Sequence, residues 1–116
     1  MAKTANKQFL YVGHYITARG EYILKIGTTD NPERRAKEHT RNYKRAAQYT
    51  MHPDGEFVYD YIMPLSWLNT LRYEERNREK WKEQNIGEFV RNDRFLCATK
   101  PKQVEITIKK TYTITL

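Results

Sequence analysis

Two aromatic-rich, alternating segments, QFLYVGHYI (8–16) and EYILKIG (21–27), lie only four residues apart, and that closeness constrains the chain most. Their β-branched and aromatic content predicts two strands of a hairpin. On the first strand Leu10, Val12 and Ile16 share a face, with Phe9, Tyr11, Gly13 and Tyr15 on the other. On the second, Tyr22, Leu24 and Ile26 oppose Ile23, Lys25 and Gly27. The aliphatic faces coincide only if the loop holds an odd number of residues. Ala18-Arg19-Gly20 satisfies this, with glycine at the last, left-handed position of a three-residue loop. That register sets Tyr11 opposite Gly27, Gly13 opposite Lys25 and Tyr15 opposite Ile23. Two tyrosines and a lysine then share the less aliphatic face.

Downstream, Asn31 is a favourable N-cap, Pro32 a favourable first helical residue and Glu33 suits the positive helix end, so a helix is predicted over about 32–46. Ala36, Tyr43 and Ala47 form its expected buried stripe, flanked by Arg35 and His39. Arg34, Glu38, Arg41 and Arg45 fall farther round as a solvated basic face. Alternation from Phe57 to Met63 predicts a third strand, and Ser66 a cap for a helix over about 67–84. Trp67, Leu71, Glu74, Arg78 and Trp81 fall on one stripe of that helix, which puts a carboxylate where an amphipathic helix carries an apolar residue. A short element near Phe89–Phe95 and one or two strands from Val104 to Leu116, turning at Lys109-Lys110, complete the expected α+β fold. It is a small antiparallel sheet of hairpin plus third strand, flanked by helices, with an extra C-terminal strand or strands.

The 116 residues suit one domain. A core over about 8–95 with a C-terminal extension over 96–116 is expected. No apolar run is long enough to span a bilayer, no apolar leader opens the chain, and the lone Cys97 has no partner for an internal disulfide, so a reducing cytoplasmic setting is expected. Twenty-one Lys and Arg against fourteen Asp and Glu, a net charge of +7, suit a polyanionic partner, nucleic acid first. Glycine-rich phosphate loops, paired zinc cysteines and nucleophile-elbow serines are absent from the sequence.

Together the hairpin, YILKIGTTDNPERRAKEH (22–39) and the misplaced acid resemble the GIY-YIG nuclease superfamily, in its diverged phage- and virus-associated branch. Lys25-Ile26-Gly27 stands for the second signature, where the family pattern has tyrosine first. Arg35 follows Gly27 by eight residues, and His39 sits one turn later, where the family commonly has histidine or tyrosine. For the first signature, Gly13-His14-Tyr15 matches the literal tripeptide and Phe9-Leu10-Tyr11 the looser viral form, so both Tyr11 and Tyr15 are candidates.

The resemblance implies a DNA endonuclease using Mg²⁺ or Mn²⁺, in a bacterial or virus-infected cell, with RNA a weaker substrate and a homodimer or protein partner as further options. Glu74 is its candidate metal ligand, with Glu75 as the alternative. Arg35 is the scissile-phosphate contact, Tyr11 or Tyr15 the group assisting water activation, and Lys25 or His39 an aid to proton transfer. Arg34, Arg41, Lys44 and Arg45 are candidate DNA contacts.

Those residue types suit phosphodiester hydrolysis. A cation on a carboxylate neutralises charge on the phosphoryl oxygens, and an arginine stabilises it further. Singly each residue has an ordinary reading: Arg35 as a solvated helix arginine, His39 as a half-buried histidine, the tyrosines as sheet packing, Glu74 as an i,i+4 partner of Arg78. Lys100, Lys102, Lys109 and Lys110 either extend a DNA footprint or keep the surface solvated. Lys25 in place of tyrosine also admits a non-catalytic nucleic-acid-binding or partner-inhibiting protein on the same fold.

Overall fold

The hairpin forms in the expected register. Strands β1 (Lys7–Ile16) and β2 (Tyr22–Thr29) pair antiparallel, with Tyr11 opposite Gly27, Gly13 opposite Lys25 and Tyr15 opposite Ile23. Thr17 N–H donates to Glu21 O at 2.9 Å, closing the loop on Ala18-Arg19-Gly20, and Gly20 takes φ +86°. The computed structural model describes residues 7–116, except the side chains of Lys7, Trp67 and Leu68.

After β2 come α1 (Pro32–Lys44), β3 (Val58–Ser66), α2 (Trp67–Glu83), β4 (Glu88–Val90), β5 (Arg94–Cys97), β6 (Gln103–Thr107) and β7 (Thr111–Thr115). The small antiparallel sheet is five-stranded, in the order β3-β1-β2-β5-β4, and β6 pairs β7 in a separate hairpin. The short element near Phe89–Phe95 is therefore itself a hairpin, and the C-terminal strands turn at Ile108–Lys110, where Ile108 N–H bonds Lys110 O. Among the described residues no helix is long and apolar enough to cross a membrane.

Alternation divides the interior in two. Leu10, Val12, Leu24, Ile26 and Phe95 pack with Trp81 of α2 and with Val104, Ile106 and Ile114 of the last hairpin. On the opposite face Tyr11, Tyr15 and Ile23 pack with Tyr43 of α1, Met51 and Phe57. Ile16 departs from expectation: at the end of β1, where the chain turns away, it is 43% exposed.

Both helices start as expected but differ within. Asn31 Oδ1 accepts Arg34 N–H at 3.0 Å and Pro32 occupies the first turn. Helix α1 then ends at Lys44, and Ala47 is exposed beyond it. The reason is the return path: Tyr49 takes φ +54°, and Met51 N–H bonds Tyr43 O, carrying the chain back to the hairpin. His39 joins Tyr43 inside the buried stripe rather than flanking it.

In α2, Ser66 is the N-cap but makes no side-chain capping bond; its carbonyl accepts the Thr70 hydroxyl at 2.7 Å. The expected stripe of Trp67, Leu71, Glu74, Arg78 and Trp81 is redrawn. Leu71 is 48% exposed, Trp67 lies outside the described side chains, and Thr70, Asn77 and Trp81 are buried. Polar residues take the inward positions because their bonds are met. Asn77 donates to Tyr73 O (2.7 Å) and Thr107 O (2.8 Å) and accepts Thr107 N–H (2.7 Å), while Trp81 Nε1 donates to Glu105 O (2.9 Å).

Asn77 thus ties β6 to α2. Asn77→Ala leaves the Thr107 backbone N–H and carbonyl without these partners at a half-buried position. It is expected to lower unfolding free energy by about 3 kcal/mol in chemical denaturation.

Candidate active site

Strand β5 pairs β2 only from Tyr22 to Lys25, so the rest of β2 runs on with no paired β5 residue beside it. A polar cavity of about 400 Å³ opens at this end. Tyr11, Lys25 and Gly27 line it from the sheet, Arg35 and His39 from α1, Glu74 from α2, and Asn92 and Asp93 from the β4–β5 turn. Of the sequence candidates, Tyr11, Lys25, Arg35, His39 and Glu74 come together here. Tyr15 does not: its hydroxyl donates to Tyr49 O (2.8 Å) and accepts from Arg94 Nη1 (2.8 Å), away from the cavity. Glu75 is exposed on the outer side of α2.

Tyr11 reaches the cavity because its cross-strand partner is glycine: a Cβ at Gly27 would collide with the Tyr11 ring and hydroxyl. That hydroxyl lies 2.6 Å from His39 Nε2 in a buried hydrogen bond, and the His39 ring stacks on Tyr43 at 5.1 Å and 6°. Burial first, then the charges of Lys25, Arg35 and Arg94, hold His39 down at about 3, so the imidazole is neutral at physiological pH. Burial pushes the Tyr11 phenol well above its ordinary value, against the opposing charge of Arg35. One proton therefore lies between a neutral phenol and a neutral imidazole.

Lys25 is 6% exposed, and its Nζ donates to Asn92 O at 2.7 Å. Burial lowers it to about 8 although Asp93 and Glu74 oppose the shift. Glu74 is half-buried, with no hydrogen bond or ion pair among the described residues. Arg78, its expected partner, bonds Glu79 and Asp93 instead, each at 3.2 Å. Burial and then the nearby Asp93 raise the Glu74 carboxyl. Arg35 lines the wall with Nη1 3.0 Å from Glu38 Oε1.

Among the described residues no group of three or more His, Cys, Asp and Glu is arranged to hold a metal. Two carboxylates at a polar cavity, one of them without a partner among the described residues, are of the oxygen-donor kind that a hard divalent cation would take. Glu74, with Asp93, fits that role.

Asp93 and Asn92 escaped the sequence reading. Both take left-handed conformations, φ 57° and 66°, which Asp and Asn tolerate best after glycine. The Arg91-Asn92-Asp93 run signals a turn, but nothing local tells that it closes over Lys25. The candidate DNA contacts Arg34, Arg41, Lys44 and Arg45 are exposed on and just beyond α1, with Arg34 held to Asp30 at 2.6 Å.

A sheet carrying a tyrosine over a glycine, with an arginine, a histidine and a carboxylate from two helices around one cavity, defines a GIY-YIG-like class of domain. The T5orf172 domain family matches residues 8–111, and the chain belongs to it; this is a phage-associated domain of the GIY-YIG-like, homing-endonuclease type, which suggests a nuclease-like or DNA-binding role. No curated protein and no solved structure matches the chain.

Burial of Lys25 makes the stability of the fold depend on pH. Its pKa in the fold, about 8, lies below the ordinary 10.5. Below pH 8 it is charged in both states and its burial destabilises the fold. Between 8 and 10.5 only the unfolded chain holds the proton, so stability rises with pH; above that the penalty is gone. Lys25→Met is expected to raise unfolding free energy at pH 7 by about 1–3 kcal/mol, with the difference from wild type closing as pH rises through that window.

Proposed function

We propose that the chain is a DNA endonuclease of the GIY-YIG type that hydrolyses phosphodiester bonds with Mg²⁺ or Mn²⁺, and that Lys25-Ile26-Gly27 is its second signature. The observation that carries this reading is Glu74: a half-buried carboxylate without a hydrogen-bond or ion-pair partner among the described residues, facing the same cavity as Arg35, Lys25 and the Tyr11–His39 pair. A carboxylate left this way destabilises the fold, a common mark of a functional group.

Glu74 and Asp93 would hold the cation, which when bound neutralises charge building on the phosphoryl oxygens. Arg35 contacts the scissile phosphate from the α1 side, helped by the Lys25 charge. Tyr11 accepts a proton from the attacking water as it passes its own to His39 Nε2 across the 2.6 Å bond. His39 is a weak base in the empty cavity because Lys25, Arg35 and Arg94 crowd it with positive charge. An incoming phosphate offsets those charges and raises its basicity when the substrate is in place. Lys25, protonated below about pH 8, supplies the acid for the leaving oxygen. The exposed Arg41, Lys44 and Arg45 extend positive charge along α1 for the duplex backbone.

A second reading, a non-catalytic DNA-binding or partner-inhibiting protein, is favoured by one observation: Lys25 replaces the signature tyrosine, and its Nζ is already bonded to Asn92 O. Incubating the protein with supercoiled plasmid and Mg²⁺ or Mn²⁺, against EDTA, separates the two. Metal-dependent nicking supports the enzyme, and binding without nicking supports the alternative.

Two paired substitutions test the roles. Glu74→Gln is expected to abolish metal-dependent nicking while keeping or raising the melting temperature, and Glu75→Gln to leave both unchanged; exchanged effects would move the ligand to Glu75. Tyr11→Phe is expected to slow cleavage by about a hundredfold or more with the fold intact. Tyr15→Phe, which strips a partner from buried Arg94, is expected to lower stability by about 1–2 kcal/mol and spare the chemistry. Equal loss of activity in both tyrosine variants would show that the cavity does not select Tyr11.

A further inference from the structure

Lys25 and Arg94 are direct cross-strand partners, and both are buried, 6% and 5% exposed. Like charges set opposite each other across a sheet are destabilising, and buried cations are costly without a counter-charge. Yet among the described residues neither lies within ion-pair distance of a carboxylate. Each is held by a carbonyl of one turn: Lys25 by Asn92 O at 2.7 Å, and Arg94 by Arg91 O at 2.9 Å through Nε. Arg94 Nη1 goes to the Tyr15 hydroxyl at 2.8 Å, and its guanidinium carbon sits 4.9 Å from the Tyr43 ring centre. Its Nη2 has no protein hydrogen-bond partner among the described residues.

The two cations open on different sides of that turn. Lys25 faces the cavity described above. Arg94 lines a second one, of about 470 Å³, with Arg91, Asn92, Gln48 and Tyr49. Asn92 borders both. The second cavity holds two arginines and two amide side chains, and among the described residues no carboxylate lines it.

We propose that the Arg94 cavity is a second phosphate subsite, which takes a backbone phosphodiester next to the scissile one on the same strand. Two buried positive charges set across one ladder rung, each with a cavity beside it, suit a ligand carrying negative charges at short regular spacing, as a polynucleotide backbone does. Arg94 is the preorganised donor, fixed by the Tyr15 hydroxyl, the Arg91 carbonyl and the Tyr43 ring, and the exposed Arg91 completes the pair from the rim. The subsite rests on the nuclease reading for the identity of its neighbour, but its binding is measurable without cleavage.

The test neutralises phosphates one at a time. A labelled DNA strand carrying a single methylphosphonate at successive positions is bound by the full chain in EDTA and followed by fluorescence anisotropy. The same strand is mapped for cleavage with Mg²⁺. The expected result is two sensitive positions close together, each losing roughly threefold to tenfold in affinity when neutralised, one at the cleaved bond and one beside it. In Arg91→Ala the second position alone becomes insensitive, and the salt slope falls by about one. Arg94→Gln should do the same where its melting curve shows it folded; Arg91→Ala, at an exposed position, carries the test if it does not. Two sensitive positions of unchanged magnitude in Arg91→Ala, or a single sensitive position in wild type, overturn the subsite. If wild type cuts nothing yet Arg91→Ala erases one of two sensitive positions, the nuclease reading falls and the subsite stands as a strand-binding device.

Discussion

The β1–β2 register is the constraint from which the site follows. Side chains alternate strictly across a sheet, so a slip of β2 by one residue would send Lys25 into the aliphatic core and Leu24 and Ile26 to the α1 side, parting Lys25 from Tyr11 and Tyr15. The three-residue loop with left-handed Gly20 fixes the count. The register then puts the Tyr11 ring over Gly27, the only residue type that leaves room for it, and aims the hydroxyl at His39. Gly13 is used similarly on the other side of β1: a Cβ there would run into the Phe57 ring and the Val58 carbonyl, so Phe57 closes down on the aromatic face. One turn residue and two small residues thereby shape an aromatic block of Tyr11, His39, Tyr43, Phe57 and Tyr59.

That block is rigid where the cavity needs rigidity. Tyr43 stacks on His39 on one side and on Tyr15 at 4.8 Å on the other, while Tyr59 donates its hydroxyl to Pro32 O at 2.7 Å and steadies the first turn of α1. Helix α1 is thus clamped to the sheet through its aromatic stripe, leaving Arg35 at the edge of the cavity with its side chain 39% exposed. The opposite face is held by different means, mostly aliphatic packing around Trp81 with Asn77 as the polar tie, and it is this face that sets how α2 presents Glu74. Two unlike cores thus converge on one rim.

How much of this the sequence disclosed depended on the range of the interaction. Hairpin register, the Asn31-Pro32 helix start and the gathering of Tyr11, Lys25, Arg35, His39 and Glu74 were legible because each rests on short-range spacing or on a family pattern. That Tyr11 and not Tyr15 lines the cavity was not, since both occupy one strand face and only tertiary partners, Arg94 and Tyr49 for Tyr15, tell them apart. The inward side of α2 was misread for a related reason. Periodicity weighs Asn77 and Thr70 as outward residues, and it sees neither the Thr107 backbone nor the Ser66 carbonyl that satisfies them. Asp93 lay beyond reach because its placement depends on β5 pairing with β2 across some seventy residues of chain.

Lys25 shapes the electrostatics of the whole cavity. After burial, the charge of Lys25 is the largest influence holding His39 neutral, ahead of Arg35 and Arg94. A neutral imidazole leaves Nε2 able to accept from Tyr11, whereas an imidazolium would offer only donors and force the Tyr11 oxygen to accept. In turn Lys25 is tempered by Asp93 and Glu74, the two carboxylates that would hold a cation. The groups are therefore coupled through one another's charge. On the proposed reading, a cation held by those carboxylates would offset their support for the Lys25 proton, and a phosphate would restore it and relieve the positive field on His39. On the nuclease reading proposed above, the protonation of Lys25 and His39 would therefore depend on whether cation and phosphate are both present.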